Sequence, residues 1–338
     1  MGLTIKPIKM ITFQFYIIVT PGSLRFLKFA LWSLQQRCDL EIVLVANGLN
    51  REEYKELKLF CTLQLQCDYI QLQTTTVLSH GSALNILIEE HQQTWFCFCD
   101  SDIVSTNPDA NDIPSLENIK ALSSCDAMFW DDEPVKGVLG RCNQWPDGTP
   151  NLSSFFCMYH TQTTKDLMHK YKVGFENIAL KMVQSKTIKM LLQKKGFISP
   201  NRNLDTGKVL TIAFEKENHS YKHTKISSLL HIGGLSSWML NGNKALLHAE
   251  YHLTDVDLYQ LAKKDSWLYN QAAECDPNKT MFFLRRQQRL AAARFCFQLI
   301  SHYVDKTPKP IHSLTNRDFE IKIDQITATI EQYYSAFQ

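Results

Sequence analysis

The sequence predicts an α/β fold: a mixed, mostly parallel sheet flanked by helices, followed by a helical extension. Three observations lead there. Strand-like runs alternate with amphipathic helical stretches over the first hundred residues, the tempo of right-handed βαβ units. Leu40–Ala46 is a near-continuous apolar run broken by Glu41, the pattern of a strand buried on both faces. From residue 246 onward the pattern is mostly helical. The expected division is 1–245 for the α/β unit and 246–338 for the extension.

Each element has its own signal. Ile11–Thr20 is rich in β-branched and aromatic residues and ends at Pro21-Gly22-Ser23, a turn whose serine is expected to cap a helix. Leu24–Arg37 follows, with apolar residues at 24, 27, 30, 31 and 34, one helical face. After Leu40–Ala46, Asn47-Gly48 closes the strand and the charged Asn50–Lys58 reads as a surface helix. Tyr69–Thr74 is a third strand, Ala83–His91 a helix led in by His80-Gly81-Ser82, and Thr94–Cys99 a fourth strand. In that strand Cys97 and Cys99 alternate with Phe96 and Phe98 and should share one buried face. Residues 105–245 are less regular. Beyond them, helices are expected over Leu253–Lys263, Met281–Val304 and Phe319–Tyr334, with a break at Lys306–Pro310.

Composition narrows the function. At 44% hydrophobic, 21% charged and a formal net charge of +2, the chain is globular and lacks the basic excess of a nucleic-acid binder. Its ten cysteines contain no Cys-x-x-Cys pair, which removes the zinc-ribbon and thioredoxin-like readings and favours free thiols in a reducing cytosol. No apolar run is long enough to span a bilayer, and no secretory leader is evident, so a cytoplasmic protein is expected. The three Asn-x-Ser/Thr sequons, at Asn151, Asn218 and Asn278, then carry no meaning. Arg285, Arg286, Arg289 and Arg294 form a basic stripe on the long C-terminal helix, a solvated face or a peripheral contact with a membrane surface.

Chemistry concentrates where a buried strand runs out at Asp100-Ser101-Asp102. Two carboxylates this close repel unless a cation sits between them. Oxygen ligands suit Mg²⁺ or Mn²⁺. A turn capped by Asp100 is the plain alternative.

Two enzyme classes place Asp-x-Asp at a strand end. Asp100-Ser101-Asp102-Ile103-Val104 fits the string of haloacid-dehalogenase-like phosphatases, whose motif lies on the first strand and needs a downstream Gly-Asp-x-x-x-Asp that this chain lacks. More extensively, the chain resembles glycosyltransferase family 2 of the GT-A fold. Ile17–Pro21 resembles its first strand and nucleotide-binding turn, and Glu41–Gly48 its second strand. Gly81-Ser82-Ala83-Leu84-Asn85 resembles its Gly-x-x-x-Asn helix start. The match covers residues 10 to 104 well and 105 to 245 loosely.

That resemblance implies a UDP- or GDP-sugar donor held by Thr20, Pro21, Asn47, Gly81, Ser82, Asn85, Asp100 and Ser101. It implies a metal, Mn²⁺ or Mg²⁺, on Asp100, Asp102 and a later histidine, for which His231, followed by Gly233-Gly234, stands out. Where the family often has an acidic base-reading residue, this chain has Ala46-Asn47; Asn47 can still hydrogen-bond a nucleobase edge. The family's acidic general base is expected at Asp205, before the helix-like Lys208–Lys216, with Asp132, among Asp131, Asp132 and Glu133, as rival and Glu176 behind them. Trp130, Trp145 and Trp238 are possible sugar platforms, though large aromatics more often sit in cores. Sugar nucleotidyltransferases share the sheet, but Thr20–Arg25 is too poor in glycine for a triphosphate loop. An inactive GT-A-like scaffold is the remaining alternative. The acceptor is not legible.

Overall fold

The computed structural model describes residues 12–74, 76–124, 145, 149–197, 200–201, 203–232, 235, 280–311 and 317–337, with backbone alone at 203, 280–291 and 317–319. The first half follows the expected alternation: β1 (Phe13–Val19), α1 (Leu24–Gln35), β2 (Leu40–Ala46), α2 (Arg51–Phe60), β3 (Asp68–Gln71), α3 (His80–Glu90) and β4 (Trp95–Cys99). There follow β5 (Ile103–Ser105), β6 (Ala121–Ser124), β7 (Phe156–His160), α4 (Thr161–Tyr171), β8 (Ile178–Ala179), α5 (Lys186–Lys194) and β9 (Asn203–Leu204). Then come α6 (Lys208–Lys216), β10 (Tyr221–His223), β11 (Leu229–His231), α7 (Thr280–Asp305) and α8 (Arg317–Phe337). The expected helix at Leu253–Lys263 lies outside the described residues.

Among the described residues, seven strands form one sheet in the order β10-β6-β7-β4-β1-β2-β3. Every neighbouring pair is parallel except the two made by β7. The mixed, mostly parallel sheet expected from the sequence is therefore the one observed. From β1 the chain winds outward to β2 and β3, and from β4 it goes the other way. The β1–β4 boundary is thus the topological switch point, where α/β sheets bind ligands beyond the strands' carboxyl ends.

Alternation within the strands builds two cores. Cys97 and Cys99 of β4 face a cluster made with α1, α7 and α8, while Phe96 and Phe98 face one made with α3, α4, α5 and α6. The C-terminal helices complete the first cluster: Ala292, Cys296, Ile300 and Ile326 are fully buried in it. Phe297 stacks on Phe26 of α1 at 4.5 Å between ring centroids.

Local signals explain most helix ends. Asn50 and Glu53 form a capping box on α2. At α1 the expected cap is absent. The Ser23 hydroxyl turns back to the Thr20 carbonyl at 2.7 Å and accepts the Thr20 N–H, tightening the turn instead. Among the described residues, no helix is long and apolar enough to cross a membrane.

Candidate functional site

The site is built at the end of β4. Asp100 donates its N–H to the Phe155 carbonyl at 2.7 Å, and Ile103 closes a tight turn onto the Asp100 carbonyl at 3.3 Å. The chain then enters β5, a three-residue strand paired antiparallel with β11 so that Ile103 lies opposite His231. Ile232 N–H reaches the Asp102 carbonyl at 3.1 Å. This two-stranded ribbon brings His231 back against the acidic pair across more than a hundred residues of chain.

His231 Nε2 lies 3.2 Å from Asp102 Oδ1 and 3.4 Å from Asp100 Oδ2. Asp102 Oδ2 accepts the Leu235 N–H at 2.9 Å. Ligand atoms of all three side chains lie within 4.8 Å of one another. Asp102 and His231 are buried, and Phe155 backs the imidazole at 4.2 Å between ring centroids. Burial opposes charge on His231, but Asp102's charge and the hydrogen bond to Asp100 outweigh it, and its pKa is pushed up to about 9. A divalent ion would meet two carboxylate oxygens and an imidazole nitrogen, a donor set that fits Mn²⁺ and, less closely, Mg²⁺.

The cluster opens on one side. Asp100 keeps 26% of its side-chain exposure, against 2% for Asp102. On that open side His80, the first residue of α3, places Nε2 at 3.9 Å from Asp100 Oδ1. Sequence reasoning passed over His80; its place directly before Gly81 at a helix start was the available signal. Thr20, where β1 ends, buries a hydroxyl that has no hydrogen-bond partner among the described residues. A buried, orphaned hydroxyl at a switch point is what a ligand would satisfy. Two buried thiols in the adjoining core feel the acidic pair. Burial and the nearby acidic charges raise Cys99, and burial with Asp102's charge pushes Cys296 up to about 12. Both thiols stay neutral.

Other expected site residues divide by environment. Pro21 and Gly22 lie in the turn after β1, and Gly22 N–H is held by Glu53 at 2.7 Å. Ser101 is buried within the acidic turn. Ser82 bonds the Ser79 hydroxyl at 2.8 Å in the first turn of α3. Asn47 and Asn85, expected to touch the nucleotide, have their amides engaged on backbone or neighbouring side chains. Asn47 exchanges two 2.9 Å hydrogen bonds with the backbone of Leu78. Asn85 accepts the Phe175 N–H at 2.8 Å and donates to Glu176.

A Cβ on Gly81 would stand 2.2 Å from the Phe175 carbonyl oxygen, so this glycine is required by close packing of the 174–176 loop. Gly207 N–H also reaches Phe175 O, at 3.2 Å. One loop therefore links the start of α3 to the Asp205–Gly207 turn. Asp205 is exposed and bonds its neighbour Thr206 N–H at 2.8 Å, while Gly207 at φ 75° occupies the N-cap of α6. Glu176, tied to Asn85, borders a cleft of about 400 Å³ with Met168, Ile178 and Val209; neither acidic residue of the cluster lines that cleft. Trp145 is 2% exposed and donates to Glu215 at 2.9 Å, a core residue and not a sugar platform. Asp131, Asp132, Glu133, Trp130, Trp238, Gly233 and Gly234 lie outside the described residues, as do the side chains of Arg285, Arg286 and Arg289.

No protein-family model and no curated protein matches the chain. Among the solved structures similar in shape are the following three. The mannosyltransferase PcManGT of Pyrobaculum calidifontis, in complex with GDP-Man and Mn²⁺, is 10% identical with a TM-score of 0.41, over 96% of this chain and 82% of that one. The glycosyltransferase GlyE of Streptococcus pneumoniae TIGR4 is 10% identical at 0.38, over 96% of this chain and 64% of that one. TarS 1–349 of S. aureus is 13% identical at 0.38, over 96% and 92%. At such TM-scores the likeness carries no weight of its own, and the strand order alone establishes the sheet described above.

Proposed function

We propose that this chain is a metal-dependent glycosyltransferase of the GT-A type that moves a sugar from a UDP- or GDP-sugar to an acceptor hydroxyl. The observation that carries the reading is the meeting of Asp100, Asp102 and His231 at the carboxyl end of β4, beside the switch point. The Thr20 hydroxyl supports it, because a buried group without a partner among the described residues, at the same edge, suits a polar ligand.

Asp100, Asp102 and His231 are the residues that would hold the ion. When bound, a divalent cation supplies charge that stabilises a nucleoside diphosphate as it leaves. Asp102, fixed by Leu235 N–H, keeps the imidazole of His231 aimed at the acidic turn. Asp100, being the more exposed carboxylate, is the one that meets the donor, with His80 beside it. Asp205 is assigned as the general base: its exposed carboxylate can accept the acceptor's proton, and the Phe175 loop couples its turn to the start of α3.

A phosphatase would use Asp100 as nucleophile with a further acidic pair holding the metal. Among the described residues the only such cluster contains His231 and no third carboxylate, which favours the transferase. The test is thermal unfolding with Mn²⁺ and UDP or GDP, together with hydrolysis of a nucleotide-sugar panel. A ligand at a hundred times its Kd stabilises by about 2.7 kcal/mol. Wild type should show the shift and the hydrolysis, and Asp102→Ala and His231→Ala neither. Metal-dependent hydrolysis surviving in Asp102→Ala would sink the reading.

A further inference from the structure

Three residues before His231, the β5–β11 ribbon is anchored by buried charge. The Arg37 guanidinium, fully buried, grips Asp39 with Nε at 2.8 Å and Nη2 at 2.6 Å, and reaches Asp112 Oδ1 at 3.2 Å. Its Nη1 donates to the Ser228 hydroxyl at 2.5 Å. Asp112 binds Ser228 twice, accepting the hydroxyl at 2.7 Å and the N–H at 3.1 Å. The Ser228 carbonyl then accepts Thr106 N–H at 2.8 Å, and Ser105 N–H bonds the Ser33 hydroxyl of α1 at 2.9 Å. Both strands of the ribbon are therefore tied at the end away from the acidic pair.

A ribbon three residues long has few ladder bonds of its own, and a one-residue slip would turn His231 to the other face. Something outside the ladder must set its register. We propose that Arg37, Asp112 and Ser228 form a positioning clamp that fixes the register of β11 and thereby sets the affinity of the Asp100–Asp102–His231 cluster for a divalent cation. The inference rests on the metal-site reading above. None of the three residues touches that cluster. They act through β11, at the distance of three strand residues, roughly 10 Å.

The test measures Mn²⁺ affinity from the free aqua-ion's EPR signal for wild type, Asp112→Asn, Ser228→Ala and Ser228→Thr. Ser185→Ala, which removes the cap of α5, controls for general loss of stability. Outer groups that orient metal ligands change affinity by about 10–100-fold when removed. Asp112→Asn and Ser228→Ala should weaken Mn²⁺ by about tenfold or more. Ser228→Thr, which keeps the hydroxyl, should bind near wild type, and Ser185→Ala should be unchanged. Amide hydrogen exchange over 229–232 should quicken in the two weakened variants without any metal present. Wild-type affinity in both clamp variants, with wild type itself binding, overturns the clamp and leaves the metal site standing. Absence of Mn²⁺ binding in wild type overturns both.

Discussion

Gly81→Ala offers a sharp test, because helix propensity and packing predict opposite signs. In a helix interior, alanine is favoured over glycine by about 1 kcal/mol. Against that, the added Cβ would stand 2.2 Å from Phe175 O and 2.5 Å from Phe175 C and Glu176 Cα. Contact between carbon and oxygen normally begins near 3.3 Å, so the loop or α3 must retreat by about 1 Å. The loop is not free to do so. Phe175 N–H is bonded to Asn85 and its carbonyl to Gly207, and its ring packs edge-on against Phe98 at 5.4 Å and Tyr159 at 5.1 Å. Overpacking costs about 1–3 kcal/mol, and two weakened hydrogen bonds about 1 kcal/mol each. The net expectation is a loss of about 2–4 kcal/mol, read as a lower urea midpoint at unchanged slope. Mn²⁺ affinity should hold, because the cluster sits in the turn after β4 and on β11. Donor turnover should fall, because the same loop holds the Asp205 turn. A Gly81→Ala protein as stable as wild type would refute the packing argument.

Removing the buried cation in Arg37→Met leaves Asp39, itself 2% exposed, without its partner, and should lower stability by about 3–5 kcal/mol in chemical denaturation. Asn47→Ala removes both bonds to Leu78 and should cost about 2 kcal/mol; no change in urea midpoint would mean that the amide serves a ligand instead. His91 is buried against Tyr16, at 3.0 Å, and the Trp95 carbonyl, at 2.9 Å, and burial holds its pKa below the ordinary 6.5. Folding therefore favours the neutral ring. Its contribution is complete above pH 6.5 and is lost as the pH falls below that value toward the folded pKa. Wild type should lose stability more steeply than His91→Gln between about pH 6.5 and 5, and parallel curves would exclude the assignment.

What was legible in the sequence follows the range of the interactions involved. Leu40–Ala46 and the Phe96–Cys99 alternation were readable because burial on one face or two is written into the residues themselves. The antiparallel insertion of β7 between β4 and β6 was not, since nothing in Phe156–His160 states which way it runs. His231 was a candidate through its glycine-rich neighbourhood, yet the three-residue strand that carries it is too short for any periodicity to announce. Asn47 and Asn85 could be picked out but not given one role, for a physical reason: an amide that recognises a nucleotide and one that holds a loop need the same donor and acceptor. The two roles need not conflict. Asn47 fixes the loop before α3, Asn85 and Gly81 seat Phe175, and Phe175 holds the turn after Asp205. Residues of the expected nucleotide motif thus hold the Asp205 turn through backbone, and on the proposed function their effect on turnover separates from any effect on the Asp100–Asp102–His231 cluster. Asn85→Ala should accordingly reduce donor turnover while leaving Mn²⁺ binding intact. An equal loss of both would mean that the Phe175 loop and the acidic cluster form one inseparable unit.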